Sequence, residues 1–162
     1  MVKLDQIIHT IELPDGVDHS MDGDTLTLSK DGSQISREFR HSRISVRASD
    51  DSLEVHCALP RRREKALSGT WAAHIRNMVK GVDIGFTYRL KAVYSHFPMT
   101  LAVQGQNFVV NNYFGEKVPR SADILPGVDV KVTNKVEVTV TGIDKELVGQ
   151  TAANIERCTT VK

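Results

Sequence analysis

Two stretches of the sequence decide the fold, Lys65-Ala66-Leu67-Ser68-Gly69-Thr70-Trp71-Ala72-Ala73-His74-Ile75 and Lys145-Glu146-Leu147-Val148-Gly149-Gln150-Thr151-Ala152-Ala153-Asn154-Ile155. At a constant offset of 80 residues, a lysine, a leucine, a glycine, two adjacent alanines and an isoleucine coincide. Arg40 also falls on Arg120, and Gly23–Leu26 aligns with Gly105–Phe108 when small gaps are allowed. This period exceeds the roughly 20 to 50 residues of solenoid repeats, so the sequence predicts one domain-sized unit used twice.

Both repeated stretches carry helical signals. From Arg61 to Val79 the apolar residues follow helical spacing, after a proline that favours a helix start. The second helix is predicted from about Asp144, a good N-cap residue, through Cys158. A glycine inside a helix costs about 1 kcal/mol relative to alanine, so we expect Gly69 and Gly149 to let each helix approach its sheet closely.

The segments around the helices alternate between apolar and polar residues, which is typical of strands with one buried face. The clearest runs are Thr25–Leu28, Ile44–Arg47, Leu53–His56, Val130–Val132 and Val136–Val140. Three dipeptides tolerate positive φ and suit hairpin turns, namely Asp22-Gly23, Asp31-Gly32 and Asn134-Lys135. We therefore predict an α+β fold of two duplicated domains, 1–80 and 81–162, each with antiparallel β-sheets packed with one α-helix. The joint is placed at Lys80-Gly81, where a glycine would end the first helix.

Composition narrows the classes of function. The 21 lysines and arginines nearly balance 20 aspartates and glutamates, which removes the global basicity of many nucleic-acid-binding proteins and leaves only regional basic charge. The two cysteines, Cys57 and Cys158, form no CxxC motif, which argues against a disulfide scaffold or zinc ribbon and favours a reduced cytosolic setting. Because no signal peptide or membrane-spanning stretch is evident, we expect a soluble protein without membrane contact.

The sequence offers little for catalysis. None of the six histidines has HxxxH or HExxH spacing, and His56 and Cys57 would point to opposite faces of a strand. Ser95 and His96 are adjacent in sequence, which does not make a nucleophile and base. Gly-rich phosphate-binding motifs and the GxSxG nucleophile motif are absent. We therefore expect no enzyme, no metal and no cofactor.

Two segments are candidates for phosphate binding. Arg61, Arg62 and Arg63 place three cations in the first helical turn, against the helix dipole, which would suit a bound anion. The alternative is a solvated loop ahead of a helix that begins nearer Glu64. The segment Asn112–Arg120 could expose an aromatic residue and two cations to RNA, or could be a hairpin connection with Phe114 tucked into the core.

Five segments in order resemble the large-subunit ribosomal protein L-six family in its archaeal and eukaryotic form, Met78–Val82, Gly85-Phe86, Val93–Pro98, Asn112–Lys117 and Gly142–Gln150. The resemblance covers nearly the whole chain, most securely from residue 65 onward. It implies two duplicated domains, in agreement with the internal repeat, and a non-enzymatic protein of the cytoplasmic ribosome. It also implies that domain 81–162 binds large-subunit ribosomal RNA beside the sarcin–ricin loop, near neighbouring large-subunit proteins and the landing site of translational GTPases.

The candidate RNA-binding cations are Lys117, Arg120, Arg157, Lys162, Arg61, Arg62 and Arg63. Because the family contacts RNA mainly through its second domain, Lys117 and Arg120 are expected to contribute more than the three consecutive arginines. The alternative function is a non-ribosomal protein-interaction scaffold of two duplicated α+β domains, which would present its sheet edges or its acidic opening to partner proteins.

A strand-like run, residues 85–93, follows the first helix, whereas only residues 159–162 follow the second. If that run completes the first sheet, the second domain lacks an equivalent and would leave a bare edge. We therefore expect the natural chain to continue past Lys162 with a short strand and a basic tail, as in the family.

Overall fold

The structure, a computed structural model, describes residues 5–49 and 51–160. It divides into two compact units, Met1–Ile84 and Gly85–Lys162. The first unit contains β1 (Gln6–Glu12), β2 (Asp18–Asp22), β3 (Thr25–Lys30), β4 (Ser33–Glu38), β5 (Ile44–Ser49), β6 (Ser52–Ala58) and α1 (Arg62–Asp83). The second contains β7 (Phe86–Lys91), β8 (Thr100–Gln104), β9 (Asn107–Asn111), β10 (Arg120–Asp123), β11 (Val128–Thr133), β12 (Glu137–Gly142) and α2 (Lys145–Cys158). A short 3₁₀ helix, Tyr113–Gly115, lies between β9 and β10.

The two units have the same topology. Within the described residues, the first unit has one sheet of order β1-β6-β5 and another of order β2-β3-β4. The second repeats them as β7-β12-β11 and β8-β9-β10. All pairings are antiparallel. The predicted α+β fold of two duplicated halves, each with antiparallel sheets and one helix, is confirmed.

Strand β7 belongs to the second unit, where its residues pair with β12 from Phe86 opposite Gly142 to Lys91 opposite Glu137. The expectation that residues 85–93 complete the first sheet is therefore wrong. With β7 assigned to its own unit, each strand described in the first unit has a counterpart among the described strands of the second, so the argument for a missing strand no longer stands. Lys162 lies outside the described residues.

The offset of 80 holds through both helices, because residues related by it are buried at the same positions. The buried pairs are Ser68 and Val148, Trp71 and Thr151, Ala72 and Ala152, and Ile75 and Ile155. When the two helices are aligned at the offset of 80, α1 starts before α2 and also ends after it, with Gly81 and Val82 buried in the additional segment. The predicted helix end at Lys80-Gly81 is wrong, and the glycine that follows the helix in a left-handed conformation is Gly85, with φ of 71°.

Two of the three predicted dipeptides lie in hairpin turns. The third prediction, Asp22-Gly23, is wrong by one residue, because Asp22 ends β2 and pairs with Thr25, which leaves Gly23 and Asp24 as the turn. Asp31 and Gly32 have φ of 50° and 82°, and Asn134 and Lys135 have φ of 53° and 63°. Positive φ at both central residues gives the turn whose twist matches that of the flanking strands. The match of Arg40 with Arg120, by contrast, is not structural. Phe39 N donates to Asp24 O at 2.7 Å, and Ile124 N makes the equivalent bond to Gln106 O at 2.8 Å, so Phe39 corresponds to Ile124. Arg40 therefore follows the end of β4, whereas Arg120 is the first residue of β10, the counterpart of β4.

Each unit encloses its own core between its sheets and its helix. Leu26, on β3, is completely buried, and its counterpart on β9 is Phe108, which is 1% exposed. The largest fully buried apolar side chains are Leu26, Leu28, Leu53, Val55 and Ile75 in the first unit and Phe108, Val110, Val140 and Val148 in the second. Each half therefore has the core that an independent small domain requires.

The glycines within the helices are not the sites of close packing. A Cβ atom added at Gly69 would meet no described atom within 4 Å, other than the chain neighbours and the helix's own backbone, and one at Gly149 would lie 3.6 Å from Tyr88 Oη, an ordinary contact. The expectation that both glycines permit close approach is wrong. The tight position is Gly142, where a Cβ would lie 2.8 Å from Val148 Cγ2 and 3.0 Å from Gly127 O. There the end of β12 meets the start of α2.

Candidate RNA-binding interface

The connection from β9 to β10, residues 112–119, has an unusual backbone. Asn112, Phe114 and Gly115 all have positive φ, at 58°, 48° and 78°. A bulky residue held in this region costs roughly 1 to 3 kcal/mol, which the surrounding contacts must offset. The side chain of Phe114 is nevertheless 65% exposed. The interpretation that placed Phe114 in the core is wrong, and the loop presents an aromatic ring to solvent.

Contacts on both sides hold this loop in place. Asn112 Nδ2 donates a hydrogen bond to Pro98 O at 2.9 Å, which ties the loop to the segment before β8. Gly115 faces the ring of Phe97, and a Cβ there would lie 3.4 Å from Phe97 Cε1. Tyr113 is half-buried, and its hydroxyl donates to the carbonyl oxygen of Thr159, beyond the end of α2. The loop is therefore anchored to two separate parts of its unit.

The Arg120 guanidinium group is engaged in hydrogen bonds within the protein. Its Nε and Nη2 donate to the two carboxylate oxygens of Glu116 at 2.9 and 2.7 Å. Its Nη1 donates to the carbonyl oxygens of Cys158 at 3.2 Å and Thr160 at 2.8 Å. The guanidinium carbon also lies 4.3 Å from the centroid of the Tyr113 ring. Arg120 thus joins the loop to the last turn of α2.

The Glu116–Arg120 pair is ionised because each partner favours the charged form of the other. The hydrogen bonds from Arg120 lower the pKa of Glu116 below its ordinary value, although partial burial acts in the opposite direction. The same hydrogen bonds raise the pKa of Arg120. Each charge neutralises the other, so the free positive charge of this loop resides on Lys117, which is exposed.

The other predicted cations are distributed over both units. Arg157 is exposed in the last turn of α2, next to the carbonyl groups that Arg120 binds. Arg61, Arg62 and Arg63 are exposed at the start of α1 in the first unit. The fold therefore brings Lys117, Arg120 and Arg157 into one unit and keeps the consecutive arginines in the other.

Arg62 and Arg63 are helical, since α1 begins at Arg62. Arg61 is the N-cap, and its backbone N–H donates to Glu64 Oε2 at 2.8 Å, so a carboxylate already satisfies one free donor of the first turn. The interpretation as a solvated loop before a helix that begins nearer Glu64 is wrong. At the offset of 80, Glu64 corresponds to the N-cap Asp144, so the arginines form an additional turn that α2 lacks.

An aromatic pocket beside the loop was not predicted as a site. Residues 93–97 and Met99, which precede or flank the start of β8, surround a cavity of about 360 Å³ together with Tyr113 and Phe114. The rings of His96 and Phe97 meet edge to face at 4.8 Å, as do those of Tyr113 and Phe114 at 4.7 Å. The signal in the sequence was the density of aromatic residues in Tyr94–Phe97 and Tyr113-Phe114. Their proximity depends on the pairing of β8 with β9, which brings the two segments together.

The described part of the chain contains no group of three or more histidine, cysteine, aspartate or glutamate side chains placed to hold a metal ion. Within the same residues, no helix has both the length and the apolar character needed to span a membrane. The chemical features that the second unit does display are exposed aromatic rings and cations.

Comparison with known proteins identifies the family. The chain matches the model of the family "Ribosomal protein L6" over residues 13–85 and 97–162, one segment for each structural unit. The "Large ribosomal subunit protein uL6" of Methanosphaera stadtmanae is 47% identical over 163 residues, which cover 100% of this chain and 88% of that protein. The protein of the same name from Aeropyrum pernix is 45% identical over 163 residues, covering 100% and 89%. The chain therefore belongs to the ribosomal protein L6 family, whose members are structural, non-enzymatic proteins of the large ribosomal subunit.

Proposed function

We propose that the chain binds large-subunit ribosomal RNA through its second unit, beside the sarcin–ricin loop and the binding site of translational GTPases, with other large-subunit proteins as neighbours. Membership in the family supports an RNA partner. The observation that carries the proposal is the anchored loop 112–119, which exposes Phe114 and Lys117 on a fixed backbone. An aromatic face and a cation together suit irregular RNA, where bases are unstacked and phosphates lie close by.

The net charges of the two units support the proposal that the second unit binds RNA. Residues 85–162 contain nine lysines and arginines and seven carboxylates, a net charge of +2, whereas residues 1–84 contain twelve and thirteen, a net charge of −1. Binding to phosphates is driven by counterion release, which requires local cations rather than a high overall charge. The weakly basic unit with an exposed cationic loop is therefore the better RNA-binding surface.

The candidate cations have different roles in this proposal. Lys117 contacts a phosphate directly, because it is exposed and its neighbour Glu116 is neutralised by Arg120. Arg120 contributes chiefly by fixing the loop, since four of its hydrogen bonds are made within the protein. Arg157 and Lys162 add charge at the end of α2 and beyond it. Arg61, Arg62 and Arg63 contribute less, because they lie in the other unit.

The test measures binding to a transcript of the large-subunit RNA domain that contains the sarcin–ricin loop, over a range of salt concentrations. Loss of one phosphate contact in Lys117→Gln should weaken binding and reduce the log–log salt slope by about 0.7 to 0.9. Lys131→Gln is the control, because Lys131 lies on β11 of the same unit with a side chain that is 75% exposed, and its ion pair with Asp129, at 3.8 Å, joins two largely exposed side chains. Arg61→Gln should have a smaller effect than Lys117→Gln.

The same measurements distinguish RNA binding from a protein-interaction scaffold. A scaffold with an apolar interface would show little dependence on salt and would not bind the transcript. Sedimentation of the tagged protein with large subunits from its own cells provides the second readout. Failure to sediment with them, together with salt-independent behaviour, would refute the ribosomal proposal.

A further inference from the structure

We propose that the aromatic pocket bounded by residues 93–97, Met99, Tyr113 and Phe114 receives one unstacked nucleobase of the bound RNA. This inference rests on the proposed RNA-binding function and goes beyond it by assigning the pocket a ligand, a single planar base. Phe114 is its principal stacking surface. Lys117, three residues further along the same loop, supplies positive charge for the phosphate of the inserted nucleotide.

The exposure of the pocket's rings is the first observation. Tyr94 is 45% exposed, Phe97 is 43% exposed and Phe114 is 65% exposed. Contiguous exposed apolar surface in a small unit that already has a complete core marks a site of interaction. The cavity of about 360 Å³ opens between these rings and is lined by aromatic faces and edges, which accept a planar π-system better than a branched aliphatic side chain.

The pocket is also held in shape before any ligand arrives. Asn112 Nδ2 bonds Pro98 O at 2.9 Å, so the two segments that line the pocket are joined directly. Phe97 packs at the Gly115 position, and Tyr113 is anchored through its hydroxyl to Thr159 O. Phe114 is held outward by a left-handed backbone, with φ of 48°. A preorganised site loses less conformational entropy when it binds, so these constraints favour affinity.

The charge around the pocket is compatible with a nucleotide, because the segments that line it carry no carboxylate that would repel a phosphate. Residues 84–115 contain no aspartate or glutamate, so no carboxylate of the lining segments faces an incoming phosphate. The nearest in sequence, Glu116, has both oxygens bonded to Arg120. Lys91 and Glu156 both line the adjoining cavity, which shares Val93, Met99 and Tyr113 with the pocket, so their charges offset each other there, and Lys117 on the loop is exposed. Aromatic faces combined with a nearby positive charge are the features that proteins use to bind unpaired nucleotides.

The experiment compares Phe114→Leu with Val118→Ala, using the full chain and the transcript described above. Val118 is the matched control, because it is 75% exposed on the same loop but does not line the pocket. Loss of one stacked base should weaken binding about 5- to 150-fold for Phe114→Leu, with an unchanged salt slope because no phosphate contact is lost. Phe114→Trp should retain binding, and Val118→Ala should bind like the unaltered protein.

A second readout locates the base. Transcripts carrying 2-aminopurine at successive unpaired positions should show, at one position, a fluorescence change on binding that disappears with Phe114→Leu. Equal affinity of Phe114→Leu and Val118→Ala, with normal binding by the unaltered protein, would overturn the pocket assignment and leave the proposed function intact. The assignment would also fail if Phe114→Leu bound RNA normally but no longer joined large subunits, since the pocket would then hold a protein side chain. Absence of RNA binding by the unaltered protein would instead refute the proposed function itself.

Discussion

Replacing Gly142 with alanine tests how α2 is joined to its sheet. The added methyl carbon would lie 2.8 Å from Val148 Cγ2 and 3.0 Å from Gly127 O. Neither neighbour can move freely, because Val148 is fully buried in the core and Gly127 precedes Val128, the residue that pairs with Gly142 in the sheet. Because the clash involves backbone as well as side chain, relief requires a shift of the strand or of the helix.

The expected destabilisation of the second unit is about 1 to 3 kcal/mol, the usual cost of forcing an extra carbon into a packed site. The two matched control substitutions should instead raise the free energy of unfolding. Gly69→Ala meets no described atom within 4 Å beyond its own helix and chain neighbours, so it should gain roughly 0.5 to 1 kcal/mol of helix stability in the first unit. Gly149→Ala makes only an ordinary contact with Tyr88 and should also stabilise, although less.

The aromatic residues allow the two units to be followed separately in one urea titration. The only tryptophan, Trp71, lies in the first unit, where it is 7% exposed and packs edge to face on Phe39 at 5.3 Å. All three tyrosines, Tyr88, Tyr94 and Tyr113, lie in the second. Gly142→Ala should lower the midpoint of the tyrosine signal and leave the tryptophan midpoint unchanged. A tyrosine midpoint equal to or above that of the unaltered protein would refute the close-packing argument.

Two further predictions concern the second unit. Asp144→Ala removes the side-chain oxygen that accepts from Glu146 N at 2.8 Å, so it should destabilise α2 by about 1 kcal/mol, seen as a lower urea midpoint of the tyrosine signal alone. The hydrogen bonds from Arg120 depress the pKa of Glu116 below its ordinary value of 4.5, so this pair stabilises the folded state above that pH and the contribution is lost as the pH falls through the lowered pKa. Thermal melts across the acid range should therefore show a smaller acid loss of stability for Glu116→Gln than for the unaltered protein, and parallel curves would contradict the coupling.

The duplicated architecture was predictable because its signals are local. Helical spacing around Trp71 and the turn residues Asn134-Lys135 depend only on neighbouring residues, and the offset of 80 relates the helix around Trp71 to the helix of the second half. The pairing of β7 was not predictable, because residues 85–93 have the same alternation whichever sheet they join. Only the hydrogen bonds with β12 assign them to the second unit.

In the candidate site, too, the features that depend on neighbouring residues were predictable and those that depend on distant contacts were not. The segment 112–120 was identifiable from its glycine, its aromatic residues and its cations. The separate role of Arg120 was not, because its partners at Cys158 and Thr160 are about forty residues away in sequence. The prediction of close packing at Gly69 and Gly149 was wrong for a related reason. A glycine in a helix is conspicuous in a sequence, whereas the crowding at Gly142 arises from a carbonyl group and a methyl group that only the folded chain brings together.

The anchoring of the loop by residues 158–160 has a consequence for the order of events during synthesis. Tyr113 and Arg120 bind carbonyl groups that are translated about forty residues after them. A nascent chain can complete the first unit and most of the second before those carbonyl groups exist. The bond from Asn112 to Pro98 can form as soon as the loop has been synthesised, whereas the bonds to Cys158, Thr159 and Thr160 must wait for the end of α2, so the two anchors of the loop form at different stages of synthesis.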